Sequence, residues 1–213
     1  MLYAKMRSGL SMSNCTLNKH LLPLLFSLYA LALFGCGRSV NISRELPQIP
    51  ESDIRPCDLV FRLGRSIESS LIAAEGSYSH IGVVVETDLG LRVAHIEPSR
   101  EGDERTRFEP LDDFFHPDKA ASGAVMRLEG LDSLQRIGIV DYILSCRNIS
   151  FDHDYMLSDT TQMYCTELVW RAFLAEGVDL SNGVRRKLPL AREGVILPTD
   201  IFANEALVKV WSY

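Results

Sequence analysis

Apolar and polar positions follow two different periods along the chain, and each period predicts one kind of secondary structure. Short runs rich in β-branched residues predict strands, and these runs cover residues 58–63, 80–86, 91–97, 124–128 and 195–197. Longer stretches with apolar residues three and four positions apart predict helices, and these cover residues 66–75, 131–146 and 165–176. Because helices and strands are mixed, and two consecutive strands form an antiparallel hairpin, the pattern predicts an α+β fold.

Two of the predicted helices carry enough apolar residues for a buried face to be assigned. In the helix over residues 131–146 the expected core face consists of Leu134, Ile137, Gly138, Val140, Tyr142 and Leu144. In the helix over residues 165–176, Cys165 shares a face with Leu168, Val169 and Ala172, so its side chain is predicted to point toward the protein body. Gly177 follows in the position expected for a helix C-cap.

The first residues of the chain predict a targeting signal. Residues 1–20 contain three basic residues and no acid, and an apolar run of 14 residues follows, from Leu21 to Phe34. A basic stretch before a short apolar run is typical of a secretory signal peptide. A permanent membrane-spanning helix is the weaker alternative, because it needs about 20 apolar residues.

The end of this run resembles a bacterial lipobox, since Leu33, Phe34 and Gly35 precede Cys36. We therefore expect a signal peptide over 1–35, a lipid on Cys36, a polar tether over 36–55 and a single domain over 56–213. This predicts a lipid-anchored protein of the bacterial cell envelope. No aspartate follows Cys36, which favours the outer membrane, with the domain facing the periplasm.

Charge and cysteine content narrow the function classes. The formal net charge of −6 argues against nucleic-acid binding, which requires a dense basic surface. The five cysteines form no CxxC pair, so a zinc ribbon or a thioredoxin-like site is not expected. Cys57 and Cys146 are candidates for a disulfide in an oxidising compartment, but we favour two buried free thiols, because free cysteine packs as a small hydrophobe.

Cys165 is the candidate nucleophile. It opens a predicted helix, where unpaired backbone N–H groups and the helix dipole favour the thiolate. The same N–H groups are able to hold an oxyanion during acyl transfer. A buried structural cysteine remains the alternative from position alone.

His80 is the candidate base, because it begins an apolar strand and a nucleophilic thiol needs an imidazole within reach. If the hairpin turn is residues 87–90, Glu86 pairs with Leu91 and His80 falls opposite Glu97. Directly opposed residues share a face of the sheet, so Glu97 is the expected third member. His95 lies on the same face and is the reserve for that role.

Other clusters of polar residues give weaker signals. Asp152 and Asp154 flank His153, but no further ligand follows at a recognisable spacing, so no metal site is predicted. Glu167 lies in the first turn of the cysteine helix, where an acid stabilises the helix dipole. No cofactor is expected.

Six pieces of the sequence together resemble a known family. They are Asp58–Phe61, Tyr78–Val84, Ala94–Glu97, Phe151–Asp152, Tyr164–Val169 and Leu197–Asp200. They resemble, in this order, the permuted papain-like amidases, the YaeF/YiiX group of the NlpC-type cysteine peptidase superfamily. The histidine strand precedes the cysteine helix, as it does in the permuted group.

The resemblance implies a circularly permuted papain-like fold, in which a small antiparallel barrel-like sheet packs on helices that include the nucleophile-bearing one. It implies that Cys165, His80 and Glu97 are the catalytic residues. Tyr78, Asp152 and Tyr164 lie in the same motifs and are candidates for the substrate pocket. Members of this group include predicted lipoproteins, in agreement with the expected lipid on Cys36.

The expected function is that of a membrane-tethered cysteine hydrolase that cleaves an amide, either in a cell-wall peptide or in an N-acyl amide, through a thioester. Lipid ester hydrolysis or acyl transfer on the same fold is the first alternative. A non-catalytic envelope binding module is the alternative from another class.

Overall fold

The computed structural model describes residues 45–65, 78–99, 102–188 and 191–213. Its strands are β1 (Leu59–Gly64), β2 (His80–Thr87), β3 (Gly90–His95), β4 (Arg107–Glu109), β5 (Ala120–Leu128), β6 (Ser150–Phe151), β7 (Gln162–Met163) and β8 (Leu207–Ser212). Its helices are a 3-10 turn (Glu51–Asp53), α1 (Leu111–Phe114), α2 (Ser133–Ser145), α3 (Cys165–Ala175) and α4 (Pro198–Phe202).

Six of the strands form one antiparallel sheet in the order β4-β3-β2-β1-β5-β8. Among the described residues β4 and β8 lie at its two edges. The short strands β6 and β7 form a separate parallel pair. The mixed architecture confirms the predicted α+β class.

The hairpin between β2 and β3 has the register that the sequence predicted. Thr87 pairs with Gly90, Glu86 with Leu91, and the ladder continues to Val83 and Ala94. Because side chains alternate along a strand, this register places His80 and His95 on one face of the sheet and Ile81 on the other.

Both faces of the sheet are buried. One face packs against α2 and α3, and its apolar residues include Leu59, Phe61, Ile81 and Val83. The other face is covered by the segment around α1, with Val60, Val84, Val93, Phe114 and Phe115 in contact. Burial on both sides explains why β2 has a continuous apolar run instead of an alternating pattern.

Local signals fix the ends of the two long helices. Asp132 caps α2 and accepts a hydrogen bond from the Gln135 backbone N–H at 2.8 Å, while the Gln135 side chain accepts from the Asp132 N–H at 3.1 Å. This reciprocal pair is a capping box. The α3 helix ends before Gly177, whose φ of +81° favours glycine.

The predicted core face of α2 was partly wrong. Leu134 and Ile137 are 78% and 57% exposed, whereas Ile139 and Ile143 are buried. The residues at 139 and 143 are four apart and lie on the side facing the sheet, so the stripe that the sequence suggested is rotated around the helix axis. Cys57 and Cys146 are free and buried, which confirms the favoured interpretation of both thiols.

Several other expectations differ from the structure or lie outside it. Residues 195–197 form only an isolated bridge between Val195 and Arg186, and the last strand is β8, which the sequence pattern did not predict. The signal peptide over 1–35, Cys36 and the predicted helix over 66–75 lie outside the described residues. Within the described residues no helix is long and apolar enough to span a membrane.

Gly82 is the point where β2 passes closest to β3. A Cβ at this position would lie 2.7 Å from Val93 Cγ1, 2.9 Å from the Ala94 carbonyl oxygen and 3.1 Å from His95 Cβ. The backbone oxygen cannot move without distorting the ladder. We therefore predict that Gly82→Ala lowers the free energy of unfolding by about 1–3 kcal/mol, measured by urea denaturation.

Gly138→Ala is the matched control. Its Cβ would contact only the carboxylate end of the Glu176 side chain, which is free to rotate away, and alanine is favoured over glycine within a helix. We expect this variant to be as stable as the parent or more stable. Equal stability of the parent and Gly82→Ala would contradict the close approach of the two strands.

Candidate active site

The first residue of α3 docks where β2 and β3 separate. The paired ladder of these strands ends at Val83 and Ala94. The backbone N–H of Ile81, two residues beyond this end, donates to the Cys165 sulfur instead. The candidate nucleophile therefore lies against the β2 backbone, next to His80.

Burial and hydrogen bonding shift the pKa of the Cys165 thiol in opposite directions. Burial raises the pKa of the Cys165 thiol, and hydrogen bonds from Thr166 and from the Ile81 N–H lower it by a smaller amount. The Thr166 hydroxyl oxygen is 3.8 Å from the sulfur. The net pKa is raised, so at neutral pH the thiol keeps its proton, although the helix N-terminus alone would favour the thiolate.

The His80 ring lies on the face of the sheet that α1 covers. It stacks on Phe114 with ring centroids 5.8 Å apart. Its Nε2 is 2.9 Å from Nδ1 of His95, so one proton is shared between the two rings. This contact leaves Nδ1 of His80 as the nitrogen available to a thiol.

The hydrogen-bond partner of His80 is thus His95, the reserve, rather than Glu97. The Glu97 carboxylate is 3.9 Å from His80 Nε2, beyond hydrogen-bond distance. One of its oxygens is bound by Arg62 and the other accepts from Arg107 at 2.9 Å. The register brought Glu97 near, but the two guanidinium groups engage both of its oxygens.

Both imidazoles are neutral at neutral pH. Burial lowers the pKa of His80 well below its ordinary value, and the charge of Arg62 lowers it further. Burial also lowers the pKa of His95, although a hydrogen bond with Glu109 opposes this. Together with the protonated thiol, this describes an uncharged resting pair and not a thiolate–imidazolium pair.

No hydrogen bond joins the Cys165 sulfur to the His80 ring within the described part of the chain. Catalytic hydrogen bonds in ligand-free enzymes are often long and tighten only when substrate binds. The Ile81 N–H contact places the sulfur one residue along β2 from His80, whereas the His80 ring packs on Phe114 and α3 packs on the opposite face of the sheet.

The three pocket candidates have structural contacts. The Tyr164 hydroxyl accepts from the Ile196 N–H at 3.0 Å, and Tyr78 packs in an aromatic cluster against Phe202 with centroids 4.7 Å apart. The Asp152 carboxylate accepts two backbone N–H groups, at 2.8 Å and 2.6 Å. These contacts hold the three side chains against neighbouring backbone and aromatic groups, and a role in a substrate pocket stays a prediction.

Glu167 lies in the first turn of α3 and is buried. Its side chain is fully buried and accepts from Arg171 Nε at 2.7 Å, one turn along α3. Burial raises the pKa of Glu167 to about 7, against the opposing effect of Arg171. Its carboxylate therefore pairs with Arg171 within α3 as well as lying at the N-terminal end of the helix.

Several residues near the site were not predicted from the sequence. Arg62 is a charged residue within an apolar strand and pairs across the sheet with His80, which is a signal that could have been used.

Glu109 and Lys119 form an ion pair at 2.8 Å beside the histidines. Tyr155 packs on Tyr164 with centroids 5.3 Å apart. Neither the Glu109–Lys119 pair nor Tyr155 has any recognisable sequence pattern.

Three side chains in this cluster are of the kinds that hold metals. His80, His95 and Glu97 each place a ligand atom within 4.8 Å of the others. However, the facing nitrogens of the two histidines already share a hydrogen bond, and both Glu97 oxygens are engaged by guanidinium groups. The residues as arranged therefore fit a hydrogen-bonded network better than a metal centre.

Comparisons with known proteins support only the fold. No protein-family profile matches the sequence, and no curated protein matches it. The solved structure of YiiX from Escherichia coli O157:H7, described as a metalloprotein, aligns with a TM-score of 0.61 at 19% sequence identity. The alignment covers 76% of this chain and 98% of that one. The chain thus has the same mixed helix-and-sheet fold as YiiX.

Proposed function

We propose that this protein is a cysteine hydrolase of the permuted papain-like type that cleaves an amide bond. The observation that carries the proposal is the position of Cys165, whose sulfur accepts the Ile81 N–H at the start of α3. That position lies one residue from His80, whose ring is held by His95 at 2.9 Å. Nucleophilic catalysis requires a thiol, a base that takes the thiol proton and a third group that orients the base.

The reaction begins with transfer of the thiol proton to Nδ1 of His80. The sulfur of Cys165 then attacks the carbonyl carbon of the amide, and backbone N–H groups at the start of α3 stabilise the oxyanion. The His80 imidazolium gives its proton to the leaving amine, which leaves an acyl group on the sulfur as a thioester. His80 next removes a proton from water, and the hydroxide attacks the thioester carbonyl carbon. The C–S bond then breaks, the acid product leaves, and the His80 imidazolium returns its proton to the sulfur of Cys165.

In this mechanism His95 orients the His80 ring, and the charge of Glu97 stabilises the imidazolium that forms on His80. Nδ1 of His95 accepts a hydrogen bond from the Nε2–H of His80, which fixes the tautomer that has Nδ1 of His80 free. The Glu97 carboxylate, at 3.9 Å, stabilises the imidazolium through space, although Arg62 and Arg107 neutralise most of its charge.

The proposed substrates are an envelope peptide amide or an N-acyl amide, and the proposed location is the envelope membrane through a lipid on Cys36. The resemblance of the sequence motifs supports both, and the fold shared with YiiX is compatible with a hydrolase. Lipid ester chemistry on the same residues is the second candidate. Mass spectrometry of products from cell-wall fragments and from lipid extracts, incubated separately with the protein, distinguishes the two.

Cys165→Ala is expected to reduce product formation by roughly 10⁴-fold or more, because the covalent step is lost, while the thermal transition stays near that of the parent. Cys146→Ala removes the buried free thiol at the C-terminal end of α2 and is the control, with turnover retained. Turnover in Cys165→Ala at the parental rate would refute the nucleophile.

Because YiiX is described as a metalloprotein, metal-dependent hydrolysis is the mechanism to separate from thiol catalysis, and inhibitors distinguish the two. We expect the parent to be inactivated by iodoacetamide and to keep its activity after dialysis against a chelator. Loss of activity to the chelator, restored by a divalent metal, would move the chemistry to the His80, His95 and Glu97 cluster.

Alkylation of Cys165 is expected to accelerate steadily as the pH rises. The raised pKa of Cys165 keeps the thiol protonated, and the lowered pKa of His80 keeps its ring neutral. The thiolate fraction then grows about tenfold per pH unit between about pH 6 and 8. Iodoacetamide labelling resolved by peptide mass spectrometry measures this slope.

Cys57 provides an internal reference in the same experiment. Burial raises the pKa of Cys57 to about 11, and its side chain is buried, so it should be labelled far more slowly at every pH. A labelling rate for Cys165 that is constant over this pH range would indicate a preformed thiolate and contradict the uncharged resting pair.

Two variants test whether His95 or Glu97 orients the His80 ring: His95→Gln and Glu97→Gln. Loss of the 2.9 Å contact in His95→Gln should reduce kcat by roughly 10–100-fold, with KM little changed. Glu97→Gln should have a smaller effect, because this carboxylate does not contact the ring. If Glu97→Gln were the more damaging substitution, the orienting role would belong to Glu97.

A further inference from the structure

A second carboxylate lies behind the histidine pair. Oε1 of Glu109 is 3.1 Å from Nε2 of His95, and both atoms are without a well-aligned hydrogen bond among the described residues. The N–H is not aimed straight at the oxygen, yet the distance is that of a hydrogen bond. His95 is fully buried, so an unpaired N–H there would be costly.

The chain of contacts has only one consistent assignment of protons. A carboxylate accepts and does not donate, so Nε2 of His95 must carry the proton that points to Glu109. A neutral imidazole has one N–H, and Nδ1 of His95 is therefore an acceptor. It accepts from Nε2 of His80, at 2.9 Å, and this leaves Nδ1 of His80 free to take a proton.

We propose that Glu109 is a positioning residue for the reaction, which fixes the tautomers of His95 and His80 in turn and so leaves the base of Cys165 unprotonated. This inference rests on the proposed function. The proton of the thiol moves to Nδ1 of His80 and goes no further, while both N–H groups behind it keep their protons. Glu109 acts through His95 and does not touch the substrate.

The charges around the pair explain why a carboxylate is needed here. The charged groups that face the two rings are Arg62 of β1, Glu97 after β3, Arg107 and Glu109 of β4, and Lys119 before β5. Three cations against two anions leave an excess of positive charge, which opposes formation of the His80 imidazolium. Glu109 is the anion that lies within hydrogen-bond distance of a nitrogen of His95.

Glu109 stays ionised in this environment. Burial by itself raises the pKa of Glu109, but the contacts with His95 and Lys119 outweigh burial and hold the pKa at about 2. The Lys119 ammonium is 2.8 Å from the second oxygen, which keeps the first oxygen turned toward His95. The acceptor is therefore charged at every pH at which the protein would work.

The test compares Glu109→Gln with the full-length parent, with p-nitrophenyl acetate as a generic acyl donor. Glutamine retains the size of the side chain but presents either an oxygen or an NH₂ group, so the tautomer is no longer fixed. We expect the rate constant for acylation of Cys165 to fall by roughly 10–100-fold without a change in KM. An unchanged rate constant overturns the proposal.

Glu104→Gln is the matched control. Glu104 also pairs with a histidine, since its Oε2 is 2.8 Å from Nε2 of His153, but that imidazole is largely exposed. The same chemical change at this second histidine–glutamate pair should leave acylation at the parental rate. An equal loss in both variants would show a general structural effect and count against a positioning role.

A spectroscopic measurement tests the tautomers without any turnover. In protein labelled with ¹⁵N-histidine, the imidazole shifts of His80 and His95 should both report the Nε2–H tautomer, and Glu109→Gln should show a mixture at His95. A proton on Nδ1 of His95 in the parent overturns the proposal. If the tautomers are as expected but Cys165 is not acylated, the proposed function fails while the role of Glu109 as the fixing group stands.

Discussion

The buried guanidinium group of Arg62 holds the histidine face of the sheet together. It donates to the Phe114 carbonyl oxygen at 3.0 Å, binds Glu97, and lies over the Phe114 ring at 4.5 Å from its centroid. One side chain thus ties β1 to α1 and to the segment after β3. A buried charge is tolerated only when it is paired and hydrogen-bonded, so these neighbours are positioned by the need to satisfy Arg62.

The same guanidinium sets the electrostatics of the candidate site. Its charge adds to burial in lowering the pKa of His80, and it engages the carboxylate that the hairpin register had brought toward the ring. His95 then becomes the neighbour that is able to accept from His80. The function proposed above makes use of this state, because a neutral imidazole is able to take the proton of a thiol.

The sequence predicted those features of the site that depend on residues close together along the chain, and it missed those that depend on distant segments. Turn length and alternation are local, so they gave the register of the hairpin and the common face of His80, His95 and Glu97. The choice between His95 and Glu97 depended on Arg62 and Arg107, which come from other strands. Which face of α2 is buried, and the existence of β8, likewise depended on contacts between distant segments.

By itself the sequence determined the α+β class, the hairpin register and the position of Cys165 at the start of a helix, because periodicity and helix-end signals act over a few residues. The motifs containing His80 and Cys165 also pointed to the pair before any coordinates. The tertiary structure alone decided which group meets the His80 ring, the protonation of the thiol and the place of Glu109. Those properties arise from burial and from charges brought together by folding, and neither is encoded at a fixed spacing along the chain.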